Sequence, residues 1–347
     1  MALSSVGIIV GISTLLLFTA LGAGIKSVVL EEIFVVRQLE VVPKSYGVGG
    51  LGSGLFGDEK EGLSRETVEK LGALPGVEAA YPKMKLTFPA SVKGGKELLG
   101  QDLVAELVAD GIPPRLVDPD DLQGELEFRD WSAEISCNSA ADCPDGSNCG
   151  PEGICQRNEC RGAGAQEDAC TGASYCDRRA GVCRMPIPVL VSPRLLEIYN
   201  GSLHTALGGA RGAVSKLPKL SAEDLVGFEF DAIFGQSYLG RSSRGSPIER
   251  RMRLVGFSER AIQMGATMPL GYVKRLNRRF GSGDADKTFH SIVVETTRNE
   301  QVARVAKTIR EDFDLDLSDR YENAQRAGLL IMIITIVFNL ISIIILG

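Results

Sequence analysis

The sequence has little of the material from which enzyme active sites are usually built. It holds only two histidines, His204 and His290, which lie far apart and have no nucleophile motif beside them. It contains neither the G-x-S-x-G elbow of serine hydrolases nor the G-x-x-x-x-G-K-[ST] phosphate loop. We therefore expect no catalytic residue and no cofactor in this chain.

Charged residues are missing from both ends of the chain. None occurs from Met1 to Ile25 or from Ala327 to Gly347. A helix of roughly 20 apolar residues can cross the hydrocarbon core of a bilayer, so we expect transmembrane helices at residues 1–25 and 321–347, in contact with membrane lipid. The first segment has no basic n-region and is longer than the usual apolar part of a signal peptide, which predicts that it is retained.

Cysteine is absent outside residues 137–183, where the spacing indicates two consecutive four-cysteine units. No C-x2-C pair and no histidine occurs there, which disfavours zinc, the competing explanation. The segment also lacks the large apolar side chains of a core, so it needs covalent cross-links. We expect disulfides, no metal, and an oxidising compartment. The cysteines are Cys137, Cys143, Cys149 and Cys155 in the first unit and Cys160, Cys170, Cys176 and Cys183 in the second.

Four cysteines allow three pairings. A duplicated unit that folds independently should satisfy its own thiols, so no bridge is expected between the two units. Within each unit we favour first-to-third and second-to-fourth pairing, because interleaved loops restrain one another. The module should add little to the apolar core of the protein, and its role is that of a spacer or of a partner contact.

The pattern between the two apolar ends predicts an α+β domain with mixed sheets and helices, interrupted by the small disulfide-rich insertion. Helices are expected after the N-cap Ser64, after Ser192-Pro193, beyond Pro269, and at Glu300–Asp312 with Asn299 as the cap. Strands are expected at Leu39–Val42, Val77–Tyr81, Leu86–Val92, Ile187–Val191, Phe228–Phe234, Met252–Phe257 and Ser291–Thr297.

Two groups of surface residues are candidates for binding. Leu51, Leu55 and Phe56 lie in a glycine-rich segment and would form an apolar tip for lipid or cargo, unless the segment is a plain flexible loop. A basic patch would contact anionic lipid or an acidic partner, the alternative being the solvated face of a strand pair and a helix. Its residues are Arg241, Arg244, Arg250, Arg251, Arg253, Lys274, Arg275, Arg278 and Arg279. A net charge of −6 argues against nucleic acid as a partner.

Several segments, in their order along the chain, resemble the FtsX/MacB superfamily of ABC-transporter membrane subunits, which includes the lipoprotein-releasing LolC and LolE proteins. The resemblance covers nearly the whole chain except Cys137–Cys183. The segments that carry it are Gly22–Ile33, Leu74–Pro82, Pro188–Asn200, Arg253–Phe257 and Phe338–Ser342.

This resemblance implies a subunit of a bacterial inner membrane whose large domain lies in the periplasm. Its implied partners are a separate cytoplasmic ABC ATPase, a like permease in a homo- or heterodimer, and a periplasmic carrier or adaptor. The ATPase would drive motions that the spans transmit to the periplasmic domain, which then moves or releases cargo such as lipoproteins.

The implied domain plan places a membrane-proximal subdomain next to both spans and a distal subdomain between its two parts. We expect residues 39–42 and 291–297 to share one sheet, so that both spans connect to the membrane-proximal subdomain. The boundaries are 1–25 for the first transmembrane helix, 26–95 for the stalk and first membrane-proximal part, 96–136 for the first distal part, 137–183 for the disulfide module, 184–285 for the second distal part, 286–320 for the second membrane-proximal part and 321–347 for the second transmembrane helix.

The chain departs from the family in one respect. Such subunits have four spans, whereas this chain reaches only a second, so we expect a fragment, with a truncated relative as the other interpretation. A second class of function stays open: a membrane-anchored periplasmic interaction or scaffold protein that presents the disulfide-rich module without any ATPase.

Overall fold

The computed structural model describes residues 37–44, 63–96, 100, 102–124, 126–133, 135–151, 153–160, 170–203 and 219–318, with isolated positions in both terminal segments. Within this part of the chain, no helix is both long enough and apolar enough to cross a membrane. Most of the two apolar ends lies outside the described residues, as does the predicted apolar tip of Leu51, Leu55 and Phe56.

The chain forms two compact units. We call residues 1–81 and 290–347 the terminal unit, and residues 82–289 the central unit. The division between the two units falls within one strand, after residue 81, and just before another strand, at residue 290. The subdomain boundaries predicted from the sequence are at residues 95 and 286.

The terminal unit is a small sheet covered by helices. Its core is built by alternate residues of two paired strands, Leu39 with Val294 and Val41 with Ile292, and these side chains are fully buried. The elements are β1 (Gln38–Pro43), the first part of β2 (Val77–Lys85), β14 (Ser291–Thr296), β15 (Leu315–Leu317), α1 (Arg65–Gly72) and α5 (Val302–Asp312).

The central unit contains one large mixed sheet and two small hairpins. The sheet order is β5-β13-β10-β12-β11-β3-β4, with the end of β2 paired to β5. Its elements are β3 (Ala90–Gly94), β4 (Leu103–Glu106), β5 (Ala109–Ile112), β10 (Ile187–Val191), β11 (Glu229–Phe234), β12 (Ile248–Phe257), β13 (Ala266–Pro269), α2 (Pro193–Ile198), α3 (Ala222–Leu225) and α4 (Leu270–Phe280); the hairpins are β6 (Ser147–Cys149) with β7 (Cys155–Arg157), and β8 (Tyr175–Asp177) with β9 (Val182–Arg184).

Helix α4 packs closely on the large sheet. A Cβ at Gly111 of β5 would lie 2.7 Å from a methyl of Val273, so only glycine allows this approach. The ring of Phe280 at the end of α4 lies 5.0 Å from that of Phe88, and Phe234 packs on Phe88 edge-on. These aromatic contacts fix the helix over the core of the central unit.

The described part of the chain is α+β with four disulfides, as the sequence predicts. Residues 39–42 and 291–296 pair in one antiparallel sheet, which confirms that expectation. The Ser64 and Ser192 caps are also present, each side chain accepting a hydrogen bond from the backbone of its helix.

The strand expected at Leu86–Val92 is wrong in its first half. The buried side chain of Asn277 donates to the carbonyl of Lys85 at 2.8 Å and accepts from the N–H of Thr87 at 3.1 Å. This amide from α4 occupies the backbone groups that a ladder would need, so the chain turns before β3 begins. Helix α5 also starts later than expected, at Val302, because Asn299–Gln301 is a 3-10 turn.

Candidate functional sites: the strand junction and the disulfide module

In the terminal unit, the two connections to the apolar ends meet at one end of the sheet. β15 runs antiparallel to β1, with Leu317 opposite Val41, and the N–H of Ser318 continues the ladder to the carbonyl of Glu40 at 2.8 Å. The carbonyl of Arg37 in turn accepts from the N–H of Thr296 in β14 at 2.8 Å. We call this end of the sheet, where residue 37 enters and residue 318 leaves, the strand junction.

The chain that leaves the strand junction toward the C-terminal end stays close to the terminal unit at its start. The N–H of Tyr321 donates to the carbonyl of Ser318 at 3.0 Å. The guanidinium of Arg310 on α5 lies 5.9 Å from the centre of the Tyr321 ring. On the other side of the junction, Arg37 forms an ion pair with Glu78 at 2.9 Å. The described residues on both sides of the junction therefore contact the folded part of the terminal unit.

In the central unit, all eight cysteines are bridged and none is free. Each four-cysteine unit is closed on itself in the first-to-third and second-to-fourth pattern, as predicted. The bridges are Cys137–Cys149, Cys143–Cys155, Cys160–Cys176 and Cys170–Cys183.

Hydrogen bonds, and no disulfide, connect the two four-cysteine units of the module. The Asp145 carboxylate of the first four-cysteine unit accepts from the N–H of Ala173 of the second at 3.0 Å. The N–H of Gly146 donates to the Thr171 hydroxyl at 3.2 Å. Gly146 has φ +70°, and a Cβ there would lie 2.7 Å from Cys183, so glycine is required at this contact.

The second unit docks on strand β12 through Tyr175. β10 pairs with β12 only from Met252 onward, opposite Ile187. One residue earlier, the N–H of Arg251 donates to the Tyr175 hydroxyl at 3.1 Å, and the Arg251 guanidinium lies 4.8 Å from the centre of the ring. The tyrosine thus satisfies a backbone donor just before the strand pairing begins.

Asp177 is the second anchor of this docking. Its carboxylate accepts from Arg184 at 2.7 Å and from Arg250 of β12 at 3.0 Å. Burial acts to raise the pKa of Asp177, but the N–H of Ala180 and the two arginines outweigh it, so the pKa is lowered. The carboxylate is therefore charged at neutral pH and bridges the module to the sheet.

Five of the nine residues of the expected basic patch are paired with carboxylates inside the central unit. Arg250 contacts Asp177, Arg251 and Arg253 contact Glu229, Arg275 contacts Asp130 and Arg278 contacts Asp286. Arg244 donates to the carbonyl of Gly281 at 3.0 Å. A contact of this patch with anionic lipid or an acidic partner stays a prediction.

Tyr175, Asp177 and Arg184 were not among the site residues predicted from the sequence. The signal was the difference between the two repeats: Tyr175 and Asp177 flank Cys176, whereas Asn148 and Gly150 flank the corresponding Cys149. Where one repeat has a larger or charged side chain and the other repeat does not, that side chain is a candidate for a contact that only its own repeat makes.

No family model matches the sequence, and no curated protein matches it. Among solved structures, the chain is similar to the periplasmic region of MacB from Actinobacillus actinomycetemcomitans, with 12% identity, a TM-score of 0.39, and coverage of 86% of this chain and 97% of that one. It is also similar to the extracellular domain of the ABC-type transporter YknZ from Gram-positive bacteria, with 8% identity, a TM-score of 0.29, and coverage of 81% and 99%. Both similarities are remote.

Proposed function

We propose that this chain is the membrane subunit of a MacB/Lol/FtsX-type ABC transporter in a bacterial inner membrane. In this proposal a separate cytoplasmic ATPase drives motion of the two apolar ends, and the periplasmic domain uses that motion to move or release cargo such as lipoproteins. The subunit would act as a homo- or heterodimer and would meet a periplasmic carrier or adaptor.

The observation that carries the proposal is the strand junction. Because Arg37 and Ser318 lie at the same end of one sheet, a force that reaches either residue from its apolar end would act on the same set of paired strands. Adjacent strands joined by a hydrogen-bonded ladder move together. A junction of this kind suits a protein that passes force from membrane segments to a folded domain.

The chemistry of the two ends and of the module supports the same arrangement. At described positions of the ends the chain is helical, and apolar side chains such as Leu16 and Leu330 are 64% and 57% exposed. Bridged cysteines persist in oxidising compartments such as the periplasm. Together these observations favour a domain held outside the cytoplasm by two lipid-embedded segments.

The alternative function is a membrane-anchored scaffold that presents the disulfide module without an ATPase. The observation that favours it is the docking of that module on β12 through Tyr175 and Asp177, which holds the module in a fixed orientation for a partner.

An insertion experiment separates the two functions. A four-residue Gly-Ser insertion between Ser318 and Tyr321 would loosen the connection of β15 to the C-terminal segment. The same insertion after Gly100, where a side chain would meet nothing within 4 Å, is the matched control. Both proteins, in their full-length form, would be purified from detergent with the ATPase subunit and assayed for cargo release in proteoliposomes.

For a transporter subunit, we expect the insertion at the junction to leave the ATPase bound but to reduce cargo release at least tenfold, with the control close to the parent. Equal release by both insertions would contradict force transmission through the junction. Recovery of the parent protein without any ATPase would favour the scaffold function.

A further inference from the structure

A cleft of about 270 Å³ lies in the central unit beside the first four-cysteine unit. One wall is the segment before the module, with Trp131, Ser132 and Ile135. The other wall is the unit itself, with Pro144 and Ser147, and with Arg157, whose side chain is exposed at this cleft. The walls therefore combine an aromatic ring, aliphatic carbons, two hydroxyls and one cation.

The charge of Arg157 is not balanced by a carboxylate in the part of the chain that the structure describes. Its neighbours Arg184 and Arg250 share a single carboxylate, that of Asp177. Partial removal of water around this exposed side chain lowers the pKa of Arg157, and the positive charges of Arg184 and Arg250 lower it further, against raising effects of Tyr272 and Tyr175. An anion beside the guanidinium would relieve this repulsion.

The walls of the cleft are held in place before any ligand arrives. Asp130 receives two hydrogen bonds from Arg275 of α4, at 2.6 and 2.7 Å. The indole N–H of Trp131 donates to the carbonyl of Glu127 at 3.1 Å. On the opposite wall, Ser147 and Arg157 are register partners in the β6–β7 hairpin, which the Cys143–Cys155 bridge closes. Such preorganisation reduces the entropy lost on binding.

We propose that this cleft binds a carboxylate carried on an aromatic group. The guanidinium of Arg157 pairs with the carboxylate, and Trp131, Ile135 and Pro144 contact the ring. A planar guanidinium matches the two oxygens of a carboxylate and pairs poorly with a neutral amide. The volume of about 270 Å³ lies just below the usual range of ligand pockets, which fits a single ring with its acid group, either on a free aromatic acid or at the end of a peptide.

The chain contains one tryptophan, so its fluorescence reports on Trp131 alone. The full-length protein in detergent would be titrated with phenylacetate and, in parallel, with the neutral isostere 2-phenylacetamide. We expect a saturable change in tryptophan emission with the acid and an apparent affinity at least tenfold lower for the amide. A short peptide ending in phenylalanine, with a free or an amidated carboxyl terminus, then distinguishes a peptide end from a free acid.

Substitutions test whether the positive charge of Arg157 is responsible for binding the carboxylate. Arg157→Gln should weaken phenylacetate binding at least tenfold, and Arg157→Lys should weaken it less. Arg179→Gln is the matched control, since it removes one positive charge from the same module at a side chain that is 74% exposed and outside the cleft. Mass measurement of the four bridges checks that each variant is folded.

The proposal would be overturned by any of three results with the parent protein or its variants. These are an emission change that does not saturate, equal affinity for the acid and the amide, and equal losses in Arg157→Gln and Arg179→Gln. The acid–amide comparison uses only the parent protein, so it decides the question even if Arg157→Gln does not fold. None of these measurements depends on an ATPase or on transport.

Discussion

The two four-cysteine units have the same bridge pattern but different surroundings. The second unit docks on β12 through the two residues that flank Cys176, whereas the first borders an open cleft beside Trp131. At the corresponding positions the first unit has Asn148, which donates to the side chain of Asn158 at 2.7 Å, and Gly150. The bridges therefore set the shape of each unit, and the residues next to them decide what it contacts.

The comparison also separates two kinds of stabilisation. A disulfide acts mainly by restricting the unfolded chain, and loops of about 15 residues give roughly 3 kcal/mol in the chain-entropy model. The docking of the second unit depends instead on one buried carboxylate and one hydroxyl, Asp177 and Tyr175. Removing a bridge should therefore cost about the same in either four-cysteine unit. A change at Tyr175 or Asp177 should affect only the second four-cysteine unit.

The largest effect is expected from removing one bridge in either unit. Cys143→Ser with Cys155→Ser, and Cys170→Ser with Cys183→Ser, should each cost about 3 kcal/mol in the free energy of unfolding of the altered unit. Only the second pair should also increase hydrogen exchange in the peptide that contains Arg251, because Tyr175 covers that amide. Equal exchange in both variants would contradict independent units.

Peptide mapping of the non-reduced parent protein provides the control for this experiment. We expect no peptide that links the segment 137–155 to the segment 160–183. Free thiols would instead favour the zinc alternative, since the Sγ atoms of Cys137, Cys143 and Cys155 lie within 4.8 Å of one another.

A smaller effect is expected from neutralising the anchor of the second unit. Asp177→Asn should destabilise the docked module by about 2 kcal/mol, because hydrogen bonds to charged groups contribute roughly that amount. Asp145→Asn, which touches only the contact between the units, should cost less. Thermal unfolding at pH 7 and at pH 3 measures both variants against the parent.

The pH dependence follows from the lowered pKa of Asp177, which places the folded value below the unfolded value of about 3.9. The stabilisation is complete above the unfolded pKa and is lost as the pH falls through the folded one. The difference between the parent and Asp177→Asn should therefore shrink at pH 3. A difference that is unchanged between the two pH values would show that the charge of Asp177 is not responsible.

The smallest effect is expected from weakening the contact between the two four-cysteine units. Thr171→Val removes the acceptor of the Gly146 N–H and should cost about 1 kcal/mol. Exchange of the Gly146 amide should rise, while exchange at Arg251 should stay as in the parent. Ser139→Ala, which breaks a hydrogen bond to Asp142 inside the first four-cysteine unit, is the control that should leave Gly146 protected.

Local patterns were sufficient for much of this fold. The repeated cysteine spacing predicted a pairing that never leaves its own unit, because the two partners of a bridge are only 12 to 16 residues apart. The N-caps Ser64 and Ser192 and the β-branched run in Ser291–Thr296 are also read within a few residues. In each case the physical cause acts over a short stretch of chain.

The contacts that define the sites depend on residues distant in sequence. Asp177 meets Arg250 across 73 residues, and Asp130 meets Arg275 across 145. Asn277 ends the expected strand at Leu86 from 190 residues away, through the N–H of Thr87. A charged or amide side chain has many partners of suitable chemistry along the chain. Only the packing of α4 and of the module on the large sheet selects one of them, because burial requires each polar group to find its partner within about 3 Å.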